Sequence, residues 1–154
     1  MTRAITRGWS GVVVSIPPTI NFAMSTDDLF ALAESMGLKI EWHSGRASGY
    51  YHHHEGVISL REGLTDPMLR CTLAHEIAHA IRGDNPCDTE WANRRMERAA
   101  DLLAASLLIS VEDYAQAEIL HGPTPAAIAQ ELGVTRHILE TWQTSHRNFQ
   151  VQNY

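Results

Sequence analysis

Hydrophobic residues recur at two different spacings along this chain, and the changes of spacing divide it into segments. Between Ser25 and Gly37 they fall at helical intervals behind polar capping residues, which predicts a helix. Over residues 38–43 apolar and polar side chains alternate, as they do in a strand with one buried face. The segments 50–53 and 57–60 flank a turn-like sequence and predict a hairpin. The strand segments together predict a small antiparallel sheet.

Helical spacing then continues through the rest of the chain. A long helix is predicted from Asp66 to the residue before Gly83, because apolar residues recur there at every fourth position. A second long helix is predicted for residues 89–109. Three shorter helices are predicted at 112–120, 125–132 and 135–145. The pattern predicts an α+β fold in which the small sheet packs on the first long helix.

The segment 125–145 has the pattern of a helix-turn-helix, with Gly133 at the turn. The second helix of this pair would present Arg136 and His137 early, offset by Glu140. Such a surface is weakly basic for contacts with phosphates or base edges. We therefore expect a structural or partner-docking role for this segment, and DNA binding is an alternative that the sequence does not favour.

These elements predict three regions. An N-terminal arm spans residues 1–24 and carries two arginines, a Pro-Pro pair and no acidic residue. The core spans residues 25–110, and a helix-turn-helix-like C-terminal extension spans residues 111–148.

Composition narrows the class of protein. A chain of 154 residues has room for one compact domain with a small appendage. Its net charge of −6 makes it a poor general binder of nucleic acid. Its two cysteines, Cys71 and Cys87, form no disulfide framework, and the N-terminal apolar runs are too short for a signal peptide or a membrane span. We expect a cytoplasmic protein without a membrane association.

The first long helix contains the pattern His75-Glu76-Ile77-Ala78-His79. Histidines four residues apart lie on the same helical face, where both imidazoles can bind one metal ion. Glu76 projects beside that face, where it can take a proton from a water molecule activated by the metal. The pattern predicts a hydrolytic metal site with Glu76 as the catalytic base.

A catalytic zinc ion needs a third protein ligand, and the second long helix offers Glu97. Asp101 lies one turn later on the same face, where its carboxylate can bind the far nitrogen of a ligating histidine and fix the ring. We predict Glu97 as the third ligand and Asp101 as the residue that orients a histidine. Glu90 lies on the same helix and is an alternative ligand, and Asp101 and Glu97 could exchange roles.

Other candidate residues carry weaker signals. His52, His53 and His54 are consecutive, and alternate residues of a strand point to opposite faces, so we expect a solvated hairpin tip. Tyr50 or Tyr51 is a lesser candidate for reaching the cleft. Cys71 lies one turn before the first of the two histidines and is predicted to pack in the core. If it were a metal ligand instead, the site would have no open position for water and would be structural.

The segments 69–79 and 97–109, together with the hairpin that ends at 56–60, resemble the ImmA/IrrE family of zinc metallopeptidases. The resemblance covers residues 25–145 and departs at Cys71, where the family usually has a larger residue. It implies a zincin-like, gluzincin-type core with one Zn²⁺ held by His75, His79 and Glu97. Glu76 would be the general base in such a core.

The resemblance also implies a biological role. Members of this family are typically encoded beside a helix-turn-helix repressor, which they cleave or inactivate to switch phage or mobile-element genes. A protein substrate of this kind is therefore expected. The alternative is a non-proteolytic antirepressor or DNA-binding regulator whose metal site is structural or vestigial. Two imidazoles and a carboxylate favour Zn²⁺ over Mn²⁺ or Fe²⁺ without excluding them.

Overall fold

The computed structural model describes residues 23–151, with backbone alone for 148–151, so nearly all of the predicted arm of residues 1–24 lies outside the described residues. Its elements follow each other in the order α1 (Thr26–Ser35), β1 (Lys39–His43), β2 (Gly49–His52), β3 (Val57–Arg61), α2 (Asp66–Arg82), α3 (Glu90–Leu108), α4 (Val111–His121), α5 (Pro125–Leu132) and α6 (Arg136–Val151). The predicted α+β class is confirmed. No helix among these residues combines the length and the apolar character needed to cross a membrane.

The ends of the helices follow from local signals in the sequence. At the start of α1, the Ser25 hydroxyl accepts a hydrogen bond from the backbone N–H of Asp28, and the Asp28 carboxylate accepts one from the N–H of Ser25. Helix α2 begins with a proline in its first turn and ends at Gly83, whose φ of 67° is left-handed. These signals place α2 where the sequence predicted it.

The sheet has the strand order β1-β3-β2 and is mixed. Strands β2 and β3 form the predicted antiparallel hairpin, whereas β1 pairs with β3 in parallel. The expectation of a wholly antiparallel sheet is therefore wrong for one of the two pairings. Alternation of apolar and polar residues has the same period in both kinds of pairing, so it carries no information about strand direction.

The middle strand, β3, is buried along residues 57–60 and packs on α2. Leu73 and Ile77 of α2 are fully buried in this core, as is Leu29 of α1. The edge strand β1 is less covered, and its Trp42, one of the apolar residues in the alternating segment 38–43, is 50% exposed. Helix α2 thus packs against the sheet, and it also packs against α1 and α3.

A single arginine of α2 connects three distant parts of the backbone. The guanidinium of Arg70 donates hydrogen bonds to the carbonyl oxygens of Met24 (2.9 Å), Leu132 (2.7 Å), Gly133 (3.1 Å) and Leu108 (3.1 Å). Burial lowers the pKa of this guanidinium, although neighbouring acidic groups act in the opposite direction. The contacts join α2 to the turn between α5 and α6, so the C-terminal helices are attached directly to the core.

Candidate metal centre

Two histidines lie on the same face of α2, with their rings close together. His75 and His79 stand one turn apart, and their ring centroids are 4.6 Å apart. Their Nε2 atoms lie 3.0 Å from each other. His79 is the more enclosed of the two, with 12% of its side chain exposed against 20% for His75. The helical spacing thus brings two imidazole nitrogens to one point.

Helix α3 crosses this point and contributes Glu97. One carboxylate oxygen of Glu97 lies 3.1 Å from Nε2 of His75, and the other lies 3.2 Å from Nε2 of His79. These side chains form a group that can hold a metal ion, and it is the one such group among the residues that the structure describes. Glu90, the alternative ligand, instead pairs with Arg94 at 3.4 Å on the exposed start of α3.

The far nitrogen of each histidine is held by a carboxylate. Nδ1 of His75 lies 2.9 Å from Oδ1 of Asp101, and Nδ1 of His79 lies 3.0 Å from Oδ2 of Asp84. An ionised carboxylate only accepts hydrogen bonds, so both Nδ1 atoms carry a proton, and Nε2 of each ring presents a lone pair when the imidazole is neutral. Two neutral imidazoles held in this way direct their Nε2 lone pairs to one point beside the Glu97 carboxylate, which is a set of ligand atoms that can bind a cation.

The separations also suit a small divalent cation. A tetrahedral zinc ion with bonds of about 2.0–2.2 Å holds its ligand atoms about 3.3–3.6 Å apart. The observed separations of 3.0–3.2 Å are slightly shorter, and Glu97, which is 60% exposed, has the freedom to adjust. The residues present therefore fit a metal ion, which they would hold through His75, His79 and Glu97.

Asp84 is a residue that sequence reasoning missed. It follows the Gly83 that ends α2, and the left-handed conformation of this glycine turns the chain back toward His79. Its Oδ2 atom also accepts a hydrogen bond of 2.9 Å from Nε of Arg82. The sequence does show an acidic residue directly after the helix that carries the histidines. Its distance along the chain from His79 does not indicate that its carboxylate contacts the imidazole ring.

The carboxyl group of Glu76 is buried beside the two histidines, and the whole residue is 6% exposed. Burial raises the pKa of this carboxyl, while the neighbouring His75 and His79 and a backbone hydrogen bond from Tyr51 act in the opposite direction. Strand β2 passes so close that a Cβ atom on Gly49 would lie 3.2 Å from Oε1 of Glu76. The strand and the helix together hold the carboxyl group at the metal-binding group.

Asp101 lies where the sequence placed it, one turn after Glu97 and against His75. It has a second partner that was not expected: His137 of α6 lies 2.7 Å from its other oxygen. Burial acts to raise the pKa of Asp101, but the hydrogen bonds from His75 and His137 hold this pKa below its usual value. Burial acts to lower the pKa of His75, but its hydrogen bond with Asp101 and the nearby acidic side chains raise this pKa above its usual value.

The site opens into a cleft of about 640 Å³ between β2, α2, α3 and α6. Beyond the metal-binding group, its lining includes the side chains of Tyr50, Tyr51, Met68, Cys71, Met96 and Ile138. Both tyrosines thus reach the cleft, whereas His52 and His54 are exposed at the hairpin. Cys71 is buried as predicted, and its Sγ accepts a hydrogen bond of 3.3 Å from the backbone N–H of Thr135.

Comparison with known proteins agrees with this arrangement. The family model of the IrrE N-terminal-like domain, peptidase M78, matches residues 31–141. Among solved structures, a Mycobacterium tuberculosis transcriptional regulator superposes with a TM-score of 0.56 at 15% identity, over 75% of this chain and 40% of that one. A likeness at this identity shows the fold. This chain spans less than half the length of that regulator.

A search of curated proteins finds no significant match. The family model nevertheless covers α2 and α3 completely, and with them all the residues of the metal-binding group. The chain therefore belongs to the IrrE N-terminal-like family of M78 metallopeptidases, as its resemblance to the ImmA/IrrE proteins predicted.

Proposed function

We propose that this chain is a zinc-dependent endopeptidase that cleaves or inactivates a partner helix-turn-helix repressor and so switches phage or mobile-element genes. The observation that carries the proposal is the buried Glu76 carboxyl beside two histidines whose Nδ1 atoms are fixed by carboxylates. This arrangement places a proton acceptor beside side chains that are already oriented to bind a metal ion. Membership of a peptidase family supports hydrolysis as the reaction.

Each of these side chains has a separate role in the proposed reaction. His75, His79 and Glu97 hold the ion, and zinc, when bound, polarises the scissile carbonyl and lowers the pKa of water. Glu76 accepts the proton that the attacking water releases as its oxygen bonds to the carbonyl carbon. Glu76 then donates this proton to the amine nitrogen as the carbon–nitrogen bond breaks. Asp101 and Asp84 keep the two imidazoles in the tautomer that leaves Nε2 unprotonated.

A protein substrate is consistent with the shape of the site. A cleft of about 640 Å³ that is open at the surface accommodates an extended segment of polypeptide. The similar solved structure is named as a transcriptional regulator, which supports a role in gene control without identifying a target. A repressor acts in the cytoplasm, so the proposal places the chain there.

The test uses the purified zinc-loaded protein and a candidate helix-turn-helix repressor chosen by inspecting the genes that flank its own. We expect mass spectrometry to detect a discrete pair of cleavage products, which disappear when the metal is removed by a chelator and return when zinc is restored. An intact repressor after prolonged incubation would contradict proteolysis. A repressor that stays intact but no longer binds its operator would support the non-proteolytic antirepressor instead.

A further inference from the structure

A row of hydrogen bonds leads from the C-terminal helix α6 to the metal-binding group. Nε2 of His137 donates to Oδ2 of Asp101 at 2.7 Å. Oδ1 of Asp101 accepts from Nδ1 of His75 at 2.9 Å. His137, which the sequence offered as a residue for the unfavoured alternative of DNA contacts, is therefore engaged with the residue that orients a metal-binding ring.

The position of His137 is set by contacts with α2 itself. Thr135, which directly precedes α6, donates its backbone N–H to Sγ of Cys71, one turn before His75. Ile138, the next residue after His137, is 3% exposed and packs in the core. The start of α6 is thus held against the same helix that carries the histidines, which limits how far His137 can move from Asp101.

The two oxygens of Asp101 explain why a second donor matters. Asp101 is only 20% exposed, and a carboxylate held at one oxygen can still rotate about its Cβ–Cγ bond. A donor at Oδ2 stops this rotation and keeps Oδ1 aimed at His75. Loss of a partner that orients a ligating histidine typically weakens metal affinity by about 10–100-fold.

We propose that His137 is a positioning residue of the metal centre, which holds Asp101 so that Asp101 fixes the ring of His75. The helix-turn-helix-like pair is then part of the metal site. The proposal rests on the proposed metal site and not on peptide cleavage, so it can fail or hold independently of the proposed peptidase activity.

The test compares His137→Ala and His137→Gln with the wild-type protein, with Co²⁺ as a spectroscopic probe. Because His137 acts one step away from the ligand, we expect His137→Ala to weaken Co²⁺ affinity by about three- to tenfold and to alter the visible spectrum of the bound ion. The glutamine amide can donate from a similar position, so His137→Gln should restore most of the affinity and the spectrum.

The matched control is His121→Ala. His121 also pairs with a carboxylate, Glu131 at 3.0 Å, but it lies on α4 and does not line the cleft. We expect this variant to bind Co²⁺ as the wild type does. Wild-type affinity and spectrum in His137→Ala would overturn the proposal. A loss that glutamine does not relieve, or an equal loss in His121→Ala, would overturn it as well.

Discussion

Glu76→Gln will lower kcat/KM for peptide cleavage by about 10²–10⁴-fold, because a positioned general base contributes an effect of this size. Glutamine has nearly the same shape as glutamate and fills the same buried position, but it cannot accept and return a proton. The metal-binding side chains are unchanged in this variant. We therefore expect it to bind zinc with an affinity close to that of the wild type.

The measurement is single-turnover cleavage of the repressor by protein of known zinc content. Glu55→Gln is a suitable control, since it makes the same chemical change at an exposed turn of the hairpin. Wild-type cleavage by zinc-loaded Glu76→Gln would exclude Glu76 as the base. If the repressor is inactivated equally by both variants and stays intact, the antirepressor alternative explains the function better.

Arg70→Met will lower the free energy of unfolding by about 3 kcal/mol or more. Hydrogen bonds to a charged group each contribute about 1.5–3 kcal/mol, and their effects within one group do not add fully. The substitution leaves four backbone carbonyl oxygens without the donor that now joins them. Methionine keeps much of the apolar length of the side chain, so the loss reports chiefly on these hydrogen bonds.

Urea unfolding followed by circular dichroism measures this effect. Arg136→Met is the matched control, because Arg136 forms an exposed pair with Glu140 one turn away, and such pairs contribute only about 0.3–0.5 kcal/mol. Arg70→Lys should recover little, since an ammonium group cannot reproduce the planar set of donors. A change below about 1 kcal/mol in Arg70→Met would show that the C-terminal helices are held by other contacts.

The sequence predicted those parts of the site that depend on helical geometry. The spacing of His75 and His79 fixes their relative position once α2 forms, and the spacing of Glu97 and Asp101 does the same on α3. The spacing does not predict that α2 and α3 pack together, and this packing had to be assumed. The structure brings these side chains together and places Asp101 against His75 rather than His79.

The features of the fold and of the site that the sequence did not predict depend on contacts between segments that are far apart in the chain. The direction of β1 relative to β3 is set by the route of the chain around the hairpin, which the alternating pattern does not encode. His137 reaches Asp101 only because the turn after α5 is attached to α2. In the sequence, His137 is a residue at a helix start that was expected to be exposed, and nothing in the local pattern linked it to Asp101.

His75, His79 and Glu97 form the group that can hold a metal ion, and we expect this group to bind zinc. Metal content per chain, measured by mass spectrometry on protein expressed with added zinc, reports on this binding. We expect about one zinc ion per chain for the wild type and for a His52→Ala/His54→Ala control, and almost none for His75→Ala/His79→Ala. A full complement of zinc in the last variant, or none in the wild type, would show that these residues do not hold the ion.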